Sequence, residues 1–111
     1  MKTGQALHLW HGTMLGLARD DEPDLGPRQM AILLTVYLDT PPHTVRGLAA
    51  SLKVTKPVIT RALNTMGNLG LLTRRRDERD GRNVLIQRTV AGAEYLEALG
   101  ARTASVARSV A

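Results

Sequence analysis

The sequence has no cysteine and no phenylalanine, and its only aromatic residues are Trp10, Tyr37 and Tyr95. Without cysteine the chain can form no disulfide framework, no thiolate zinc site and no cysteine nucleophile. So few aromatic side chains argue against a surface on which nucleic-acid bases stack. No apolar run reaches the roughly 18 residues of a membrane-spanning helix, and the N-terminus lacks the pattern of a signal peptide. The sequence therefore predicts a soluble cytoplasmic protein without a membrane partner.

Catalytic motifs are also missing from the 111 residues, a length that corresponds to one domain with a modest core. There is no phosphate-binding loop or dinucleotide fingerprint, and no serine stands in the sequence context of a nucleophile. His8 and His11 are three residues apart, but without an acidic or cysteine ligand on the same helix they favour a surface or interface position over a metal site. We therefore predict no enzymatic activity, no cofactor and no metal.

Positive charge is concentrated in one part of the chain. The whole sequence carries a net charge of +5. Residues 43–88 contain ten basic and three acidic side chains, whereas residues 1–42 have a net charge of −2 and residues 89–111 are balanced. A positive field confined to one segment is typical of a surface that binds a polyanion, because lysine and arginine release counterions from phosphates. A solvated surface that only maintains solubility is the alternative.

An amphipathic helix is predicted near the N-terminus, from about Thr3 to Ala18. Its apolar residues recur at intervals of three and four, which places them on one face. They are Leu7, Trp10, Met14 and Leu17. The acidic stretch from Arg19 to Leu25 contains Pro23 and is predicted to be a loop.

A second helix is predicted to form the buried centre of the fold. Gly26 and Pro27 suit its N-cap and first position, since proline at the first helical position sacrifices no intrahelical bond. The residues from Met30 to Leu38 are apolar nearly all round, which is typical of a helix surrounded by protein. Pro41 and Pro42 follow and are expected to end it.

Two shorter helices are predicted next, joined by a turn at Lys53 and Val54. Thr44 is expected to cap the first of them and Thr55 the second, which extends to Met66. The second helix has one apolar face and one polar face. The polar face consists of Lys56, Pro57, Thr60, Arg61, Asn64 and Thr65.

A β-hairpin is predicted after Gly70, a good candidate for a left-handed helix cap. Two strand-like runs, Leu71 to Arg76 and Asn83 to Thr89, flank a polar segment with Gly81 at its tip. Thr89 is then expected to cap a last helix that continues to about Arg108. Apolar positions step along this helix with a period of 3.5, which suggests packing against something outside its own domain. They are Leu96, Leu99, Thr103, Val106 and Val110.

This order of elements predicts a mainly α fold with a small β-hairpin wing, the winged helix-turn-helix arrangement. A helix of this kind fits the major groove of B-DNA, where arginine, asparagine and threonine can read base edges. A hairpin tip that carries arginine can reach the neighbouring minor groove.

The same segments resemble the multiple antibiotic resistance regulator (MarR) family of bacterial winged-helix transcription factors, from about Asp24 to Leu99. The matching segments are Leu48 to Leu52, Thr55 to Arg61, Leu69 to Leu71, Asp77 to Arg82 and Thr89 to Gly92. The resemblance implies a homodimer that binds a pseudopalindromic operator and responds to a small-molecule effector. Two positions depart from the family. Gly81 replaces a usual wing arginine, and Lys53 stands where the family prefers glycine, which predicts either a left-handed residue that costs about 1 kcal/mol or a different turn.

From these patterns together with the resemblance to the MarR family we predict a sequence-specific regulator of transcription, a homodimeric repressor that binds double-stranded DNA. Helix 55–66 would read the major groove and wing 71–88 would contact the flanking groove or backbone. Residues 26–88 would form the DNA-binding core, with residues 1–25 and 89–111 in dimerisation. The predicted DNA contacts are Thr44, Thr55, Lys56, Pro57, Thr60, Arg61, Asn64, Arg74, Arg75, Arg76, Arg79 and Arg82.

Other side chains have predicted roles outside direct DNA contact. Asp80 is expected to orient Arg82 through a charge-assisted hydrogen bond, because a carboxylate next to phosphate is repulsive. The predicted dimer interface consists of Leu7, Trp10, Met14, Leu96, Leu99 and Val106. An effector pocket beside Trp10 is an alternative to simple packing, although the lack of phenylalanine argues for a small pocket or none.

The rival hypothesis is a winged-helix module that binds an acidic protein partner, since a fold does not determine a function. The exposed face of helix 55–66 mixes lysine, arginine, asparagine and threonine, whereas a protein-binding face should present an apolar anchor. The composition of this face therefore favours DNA.

Overall fold

The computed structural model describes residues 1–20 and 23–110, and within these residues it contains five helices and one three-stranded antiparallel sheet. The elements in chain order are α1 (Thr3–Arg19), α2 (Pro27–Leu38), β1 (His43–Thr44), α3 (Val45–Leu52), α4 (Lys56–Asn68), β2 (Leu72–Arg76), β3 (Val84–Arg88) and α5 (Val90–Val110). The predicted mainly α fold with a hairpin wing is confirmed. No helix in the described part of the chain combines the length and apolarity needed to cross a membrane.

The chain divides into two compact units. One comprises residues 25–93, from the loop before α2 to the first turn of α5, and the other comprises residues 1–24 together with 94–111. Part of the predicted acidic loop, from Arg19 to Leu25, belongs to the unit formed by residues 1–24 and 94–111. α1 continues through Arg19, the first residue of that predicted loop, and residues 21 and 22 lie outside the described residues, as does residue 111.

The core of the unit formed by residues 25–93 surrounds α2, in agreement with the prediction that this helix is buried. Ile32 and Leu33 are 0% exposed and Val36 is 1% exposed. Apolar side chains from both helices of the helix-turn-helix and from the sheet pack around them. These are Leu48, Ala49, Ile59, Ala62, Leu63, Met66, Leu71, Leu72 and Ile86. The face of α4 that carries Ile59, Leu63 and Met66 is thereby anchored, which leaves its polar face outward.

The capping residues predicted from the sequence stand at the helix starts. Gly26 is the N-cap of α2, and its N–H donates to Oε1 of Gln29 at 2.9 Å. Thr44 caps α3, since its Oγ1 accepts a hydrogen bond from the Gly47 N–H at 3.0 Å. Thr55 occupies the N-cap position of α4, but its side chain makes no capping bond. The hydroxyl of Thr55 is therefore not committed to the helix end.

The sequence predicted either a left-handed residue or a different turn between α3 and α4, and the structure has the left-handed residue. Lys53 has φ 57° and ψ 45°, and its N–H bonds to the carbonyl oxygens at the end of α3. A side chain with a Cβ atom is strained in this region, at a cost of about 1–2 kcal/mol. Gly70 also has a positive φ, 75°, where glycine carries no such cost.

The sheet contains one strand that the sequence pattern did not predict. β1 has only two residues, too few for an alternating pattern, and it pairs with β3 through His43 opposite Ile86 and Thr44 opposite Leu85. The strand order is β1-β3-β2, so the hairpin is joined through β3 to the start of α3. This pairing attaches the wing to the helix-turn-helix.

Tyr37 links the end of the wing to α2. Its hydroxyl accepts a hydrogen bond from the Thr89 N–H at 2.9 Å and approaches the carbonyl oxygens of Thr89 at 2.8 Å and Leu71 at 3.3 Å. Thr89 Oγ1 donates to the Gly70 carbonyl at 2.7 Å and accepts from the Gly92 N–H at 3.0 Å, which begins α5. A Cβ atom at position 92 would overlap both the Leu71 carbonyl and the Tyr37 hydroxyl. The threonine and glycine of this segment are thus required by close packing.

The other unit consists of α1 and the greater part of α5, which approach each other at two glycines. A Cβ atom at Gly12 would come within 2.6 Å of Val106 Cγ1, and one at Gly16 within 2.5 Å of Arg102 Cδ. Arg102 also forms an ion pair with Asp20, with 2.7 Å between Nη2 and Oδ2. The apolar stripe predicted on α1 lies elsewhere on the helix. Three of its residues are exposed, by 65% at Leu7, 63% at Trp10 and 43% at Met14.

Candidate nucleic-acid interface

The outer face of α4 presents the polar residues predicted to contact DNA. Lys56, Thr60 and Asn64 are four residues apart and therefore lie in one row, and all three are exposed. Pro57 and Arg61 lie in an adjacent row and are also exposed. No acidic side chain belongs to α4, so this face carries only positive charge.

A groove runs between the start of this face, the start of α3 and the base of the wing. Its volume is about 230 Å³. It is lined by Thr44, Val45, Arg46, Lys56, Thr60, Arg82, Asn83 and Val84. Three of these side chains are cationic and none is acidic, so the groove is a concentrated positive site.

A second, larger depression lies on the other flank of α4. It is lined by the start of α2 and by Val58, Arg61, Ala62 and Thr65, with a volume of about 700 Å³. Arg28 of α2 contributes a second guanidinium beside that of Arg61. Arg61 is therefore separated from the groove that contains Lys56 and Thr60.

The three consecutive arginines of β2 do not act as one block. Arg74 is paired with Ile86, Arg75 with Leu85 and Arg76 with Val84. Because side chains alternate along a strand and directly paired residues share a face, Arg74 and Arg76 lie on the Ile86 face and Arg75 on the other. All three are exposed. Arg76 is held within the wing, where its Nη1 donates to the Gly81 carbonyl at 3.3 Å.

The tip of the wing is closed by its two aspartates. Asp77 Oδ1 accepts from the Arg79 N–H at 2.9 Å, and Asp80 Oδ1 accepts from the Arg82 N–H at 3.1 Å. Asp80 also forms an ion pair with the Arg82 guanidinium, at 3.1 Å from Nε. The side-chain and backbone hydrogen bonds from Arg82 lower the pKa of Asp80, and the nearby charge of Arg46 lowers it further. The contact with Arg82 therefore favours the carboxylate form of Asp80.

Arg88, the last cation of the basic segment, is exposed, but its guanidinium has partners within the protein. Its Nε donates to the Val36 carbonyl at 3.1 Å, and its guanidinium carbon lies 5.6 Å from the centre of the Tyr37 ring. This distance is within the range of a cation–π contact. The charge of Arg88 therefore stabilises the fold.

The structure brings Thr44, Lys56, Thr60 and Arg82 together, and it leaves Arg79 exposed at the tip of the wing. The hydroxyl oxygen of Thr44 accepts the capping bond from the Gly47 N–H, and its O–H can still donate to a phosphate. Two exposed arginines that sequence reasoning left out line the same depressions, Arg46 in the groove and Arg28 beside Arg61. Arg46 could have been found from its place in the first turn after the Thr44 cap. No sequence signal marks Arg28, because it lies among acidic neighbours.

Comparisons with known proteins agree with this architecture. A sequence model of the MarR family matches residues 24–83, more than half of the chain. No protein of curated function matches the chain.

Solved structures with the same fold include several transcription regulators. The chain is similar to a mutant of S. aureus MepR bound to oligodeoxyribonucleotide, with 20% identity and a TM-score of 0.82 over 95% of this chain and 75% of that one. The S. aureus MepR-DNA complex has 18% identity and a TM-score of 0.72, covering 93% and 79% of the two chains. The transcriptional regulator Tm0710 from Thermotoga maritima has 22% identity and a TM-score of 0.75, covering 95% and 71%.

Proposed function

Because this chain belongs to the MarR family of winged-helix transcription regulators, we propose that it is a homodimeric repressor that reads a pseudopalindromic DNA operator. The regulators of this family are not enzymes. In each protomer α4 enters the major groove, and the wing contacts the flanking groove or backbone. A response to a small-molecule effector stays a prediction.

The observation that carries the proposal is the positively charged groove that the outer face of α4 shares with the base of the wing. Lys56 and Thr60 of α4 line one groove with Arg82 of the wing. The buried side chains on the opposite face of α4 fix the orientation of the helix, so its backbone needs no rearrangement to present these groups. Exposed Asn64 and Arg61 add groups that can form hydrogen bonds with base edges.

Two of the similar structures support DNA as the partner. They are structures of MepR with an oligodeoxyribonucleotide and with DNA, and each has the fold of this chain. The outer face of α4 also lacks the exposed aliphatic or aromatic anchor that a protein-binding surface usually presents.

The exposed apolar residues of α1 support the homodimer. Leu7, Trp10 and Met14 are three or four residues apart, so they form one stripe on a helix surface. Contiguous apolar patches of this kind mark interfaces between proteins. Among the period-3.5 positions of α5, Leu96 and Leu99 are half-buried and would extend the same interface, whereas Val106 packs against Gly12 within the protomer.

The test is fluorescence anisotropy with a DNA site selected by the wild-type protein and a scrambled duplex, at two salt concentrations. Arg61→Ala should weaken binding by about 1–3 kcal/mol, mainly through one base pair, because a lost base contact removes discrimination. Arg75→Ala should weaken binding to both duplexes alike and reduce the salt dependence by about one counterion, as loss of a phosphate contact does.

The outcomes separate the competing hypotheses. Unchanged affinity in both variants would overturn the docking of α4 and the wing. Equal, salt-sensitive binding to both duplexes would leave a basic surface without sequence specificity. A wild-type protein that binds no duplex at low salt would move the acidic protein partner into first place.

A further inference from the structure

We infer that Arg46 binds a DNA backbone phosphate in the groove between α3, α4 and the wing, together with Lys56 and Arg82. This inference rests on the proposed function and extends it to a residue outside the predicted DNA contacts. The group that the groove would receive is a singly charged phosphodiester.

Positive charge from three different elements converges on this groove. Arg46, Lys56 and Arg82 come from three different elements, α3, α4 and the wing, and line one groove of about 230 Å³. Like charges that converge repel each other and require a counter-charge. None of the described residues that line the groove is acidic, and the Asp80 carboxylate that pairs with Arg82 offsets only one of the three positive charges. An anion supplied from outside would therefore be stabilised there.

The three cations differ in the hydrogen bonds and ion pairs that they already make within the protein. Arg82 is already paired with Asp80, with 3.1 Å between Nε and Oδ1. Arg46 makes no hydrogen bond or ion pair with any described residue, and its side chain is exposed. The pKa of Asp80 is lowered mainly by its hydrogen bonds from Arg82 and also by the nearby charge of Arg46. Arg46 is therefore a cation of the groove that has all of its donors available.

The groove is also lined by neutral side chains that can form hydrogen bonds with a phosphate. Thr60 and Asn83 add neutral hydrogen-bonding groups beside the three cations. Hydroxyl and amide groups next to arginine and lysine are the usual partners of phosphate oxygens. An arginine can donate two parallel hydrogen bonds to such a group, whereas a lysine acts as a point charge.

The experiment measures the salt dependence of binding to one fixed duplex for wild type, Arg46→Ala and Arg46→Lys. Arg108→Ala is the matched control, because Arg108 is an arginine in the last turn of α5 and its loss changes the net charge equally. Arg46→Ala should bind about tenfold more weakly, and its slope of log K against log salt should be shallower by about 0.9. Arg46→Lys should restore the slope, and Arg108→Ala should match wild type.

A second measurement identifies the phosphate. Single neutral methylphosphonates are placed in turn along one strand of the duplex, and the affinity of wild type and Arg46→Ala is compared at each position. One position should weaken wild type several-fold and affect Arg46→Ala much less, because the two changes remove the same contact. Equal thermal melting temperatures of the variants will exclude a difference in folding.

Each result bears on a different claim. If wild type binds DNA and Arg46→Ala has the affinity and slope of Arg108→Ala, the role of Arg46 is wrong while the proposed function stands. If every methylphosphonate weakens the two proteins equally, a specific phosphate at Arg46 is also wrong. If wild type binds no duplex, both the inference and the proposed function are overturned.

Discussion

Replacement of Tyr37 by phenylalanine isolates the contribution of one hydroxyl to the junction between α2, the wing and α5. The ring stays in place, so its packing and its contact with the Arg88 guanidinium at 5.6 Å are retained. The variant loses the bond accepted from the Thr89 N–H at 2.9 Å and the bond donated toward the Thr89 carbonyl at 2.8 Å. No backbone change is required.

The expected loss of stability follows from these bonds. A part-buried N–H that loses its partner costs about 1–3 kcal/mol, and a carbonyl that loses one donor costs less because it has a second lone pair. Water can reach part of this site, so we expect a total of about 1–3 kcal/mol. For a chain of this length each kcal/mol lowers the melting temperature by about 4 °C. The melting temperature should therefore fall by about 4–12 °C.

The assay is thermal unfolding followed by far-ultraviolet circular dichroism, at one protein concentration, because association would make the melting temperature depend on concentration. Thr73→Val is the control, since it removes a hydroxyl from an exposed position of β2. Its melting temperature should stay within about 2 °C of wild type, as for most surface substitutions. A fall of less than about 1 °C in Tyr37→Phe would refute the view that this hydroxyl holds the junction.

Two further predictions concern the helix-turn-helix turn and α1. Lys53→Gly should raise the free energy of unfolding by about 1 kcal/mol in chemical denaturation, because it relieves the left-handed strain at φ 57°. A loss of stability would show that the exposed side chain of Lys53 makes a favourable interaction that outweighs the strain. Trp10→Ala should raise the dissociation constant of the proposed dimer at least about tenfold in sedimentation equilibrium, because truncating a tryptophan at an interface commonly costs more than about 1 kcal/mol. An unchanged dissociation constant would remove the α1 stripe from the interface.

The helix boundaries in the unit formed by residues 25–93 were predictable because they depend on local chemistry. Gly26 with Pro27 and Thr44 mark the starts of α2 and α3 through groups that lie within four residues of one another. The strain at Lys53 was predictable for the same reason, since it depends only on the φ of one residue. β1 was not predictable, because a strand of two residues is defined only by its distant partner in β3.

The face of α1 that packs within the protomer was harder to predict, because a helical period identifies a stripe and not its partner. The stripe containing Trp10 holds the large apolar side chains of α1, yet the close approach to α5 is made at Gly12 and Gly16. Small residues allow two helices to come close, and this leaves Leu7, Trp10 and Met14 exposed. An apolar stripe can therefore serve an interface outside the protomer while glycines serve the one inside.

In the candidate site the directions of the charged side chains were equally hard to predict from the sequence. Counting cations located the basic segment, but their directions depend on pairings that are distant in sequence. The β2–β3 register places Arg74 and Arg75 on opposite faces, and the hydrogen bond to the Val36 carbonyl engages Arg88 within the protein. Arg46 was overlooked because it stands alone in sequence, and only the folded chain brings it beside Arg82. The number of cations in a segment thus limits how many of its phosphate contacts can be ionic, and the tertiary pairings decide which cations are available for them.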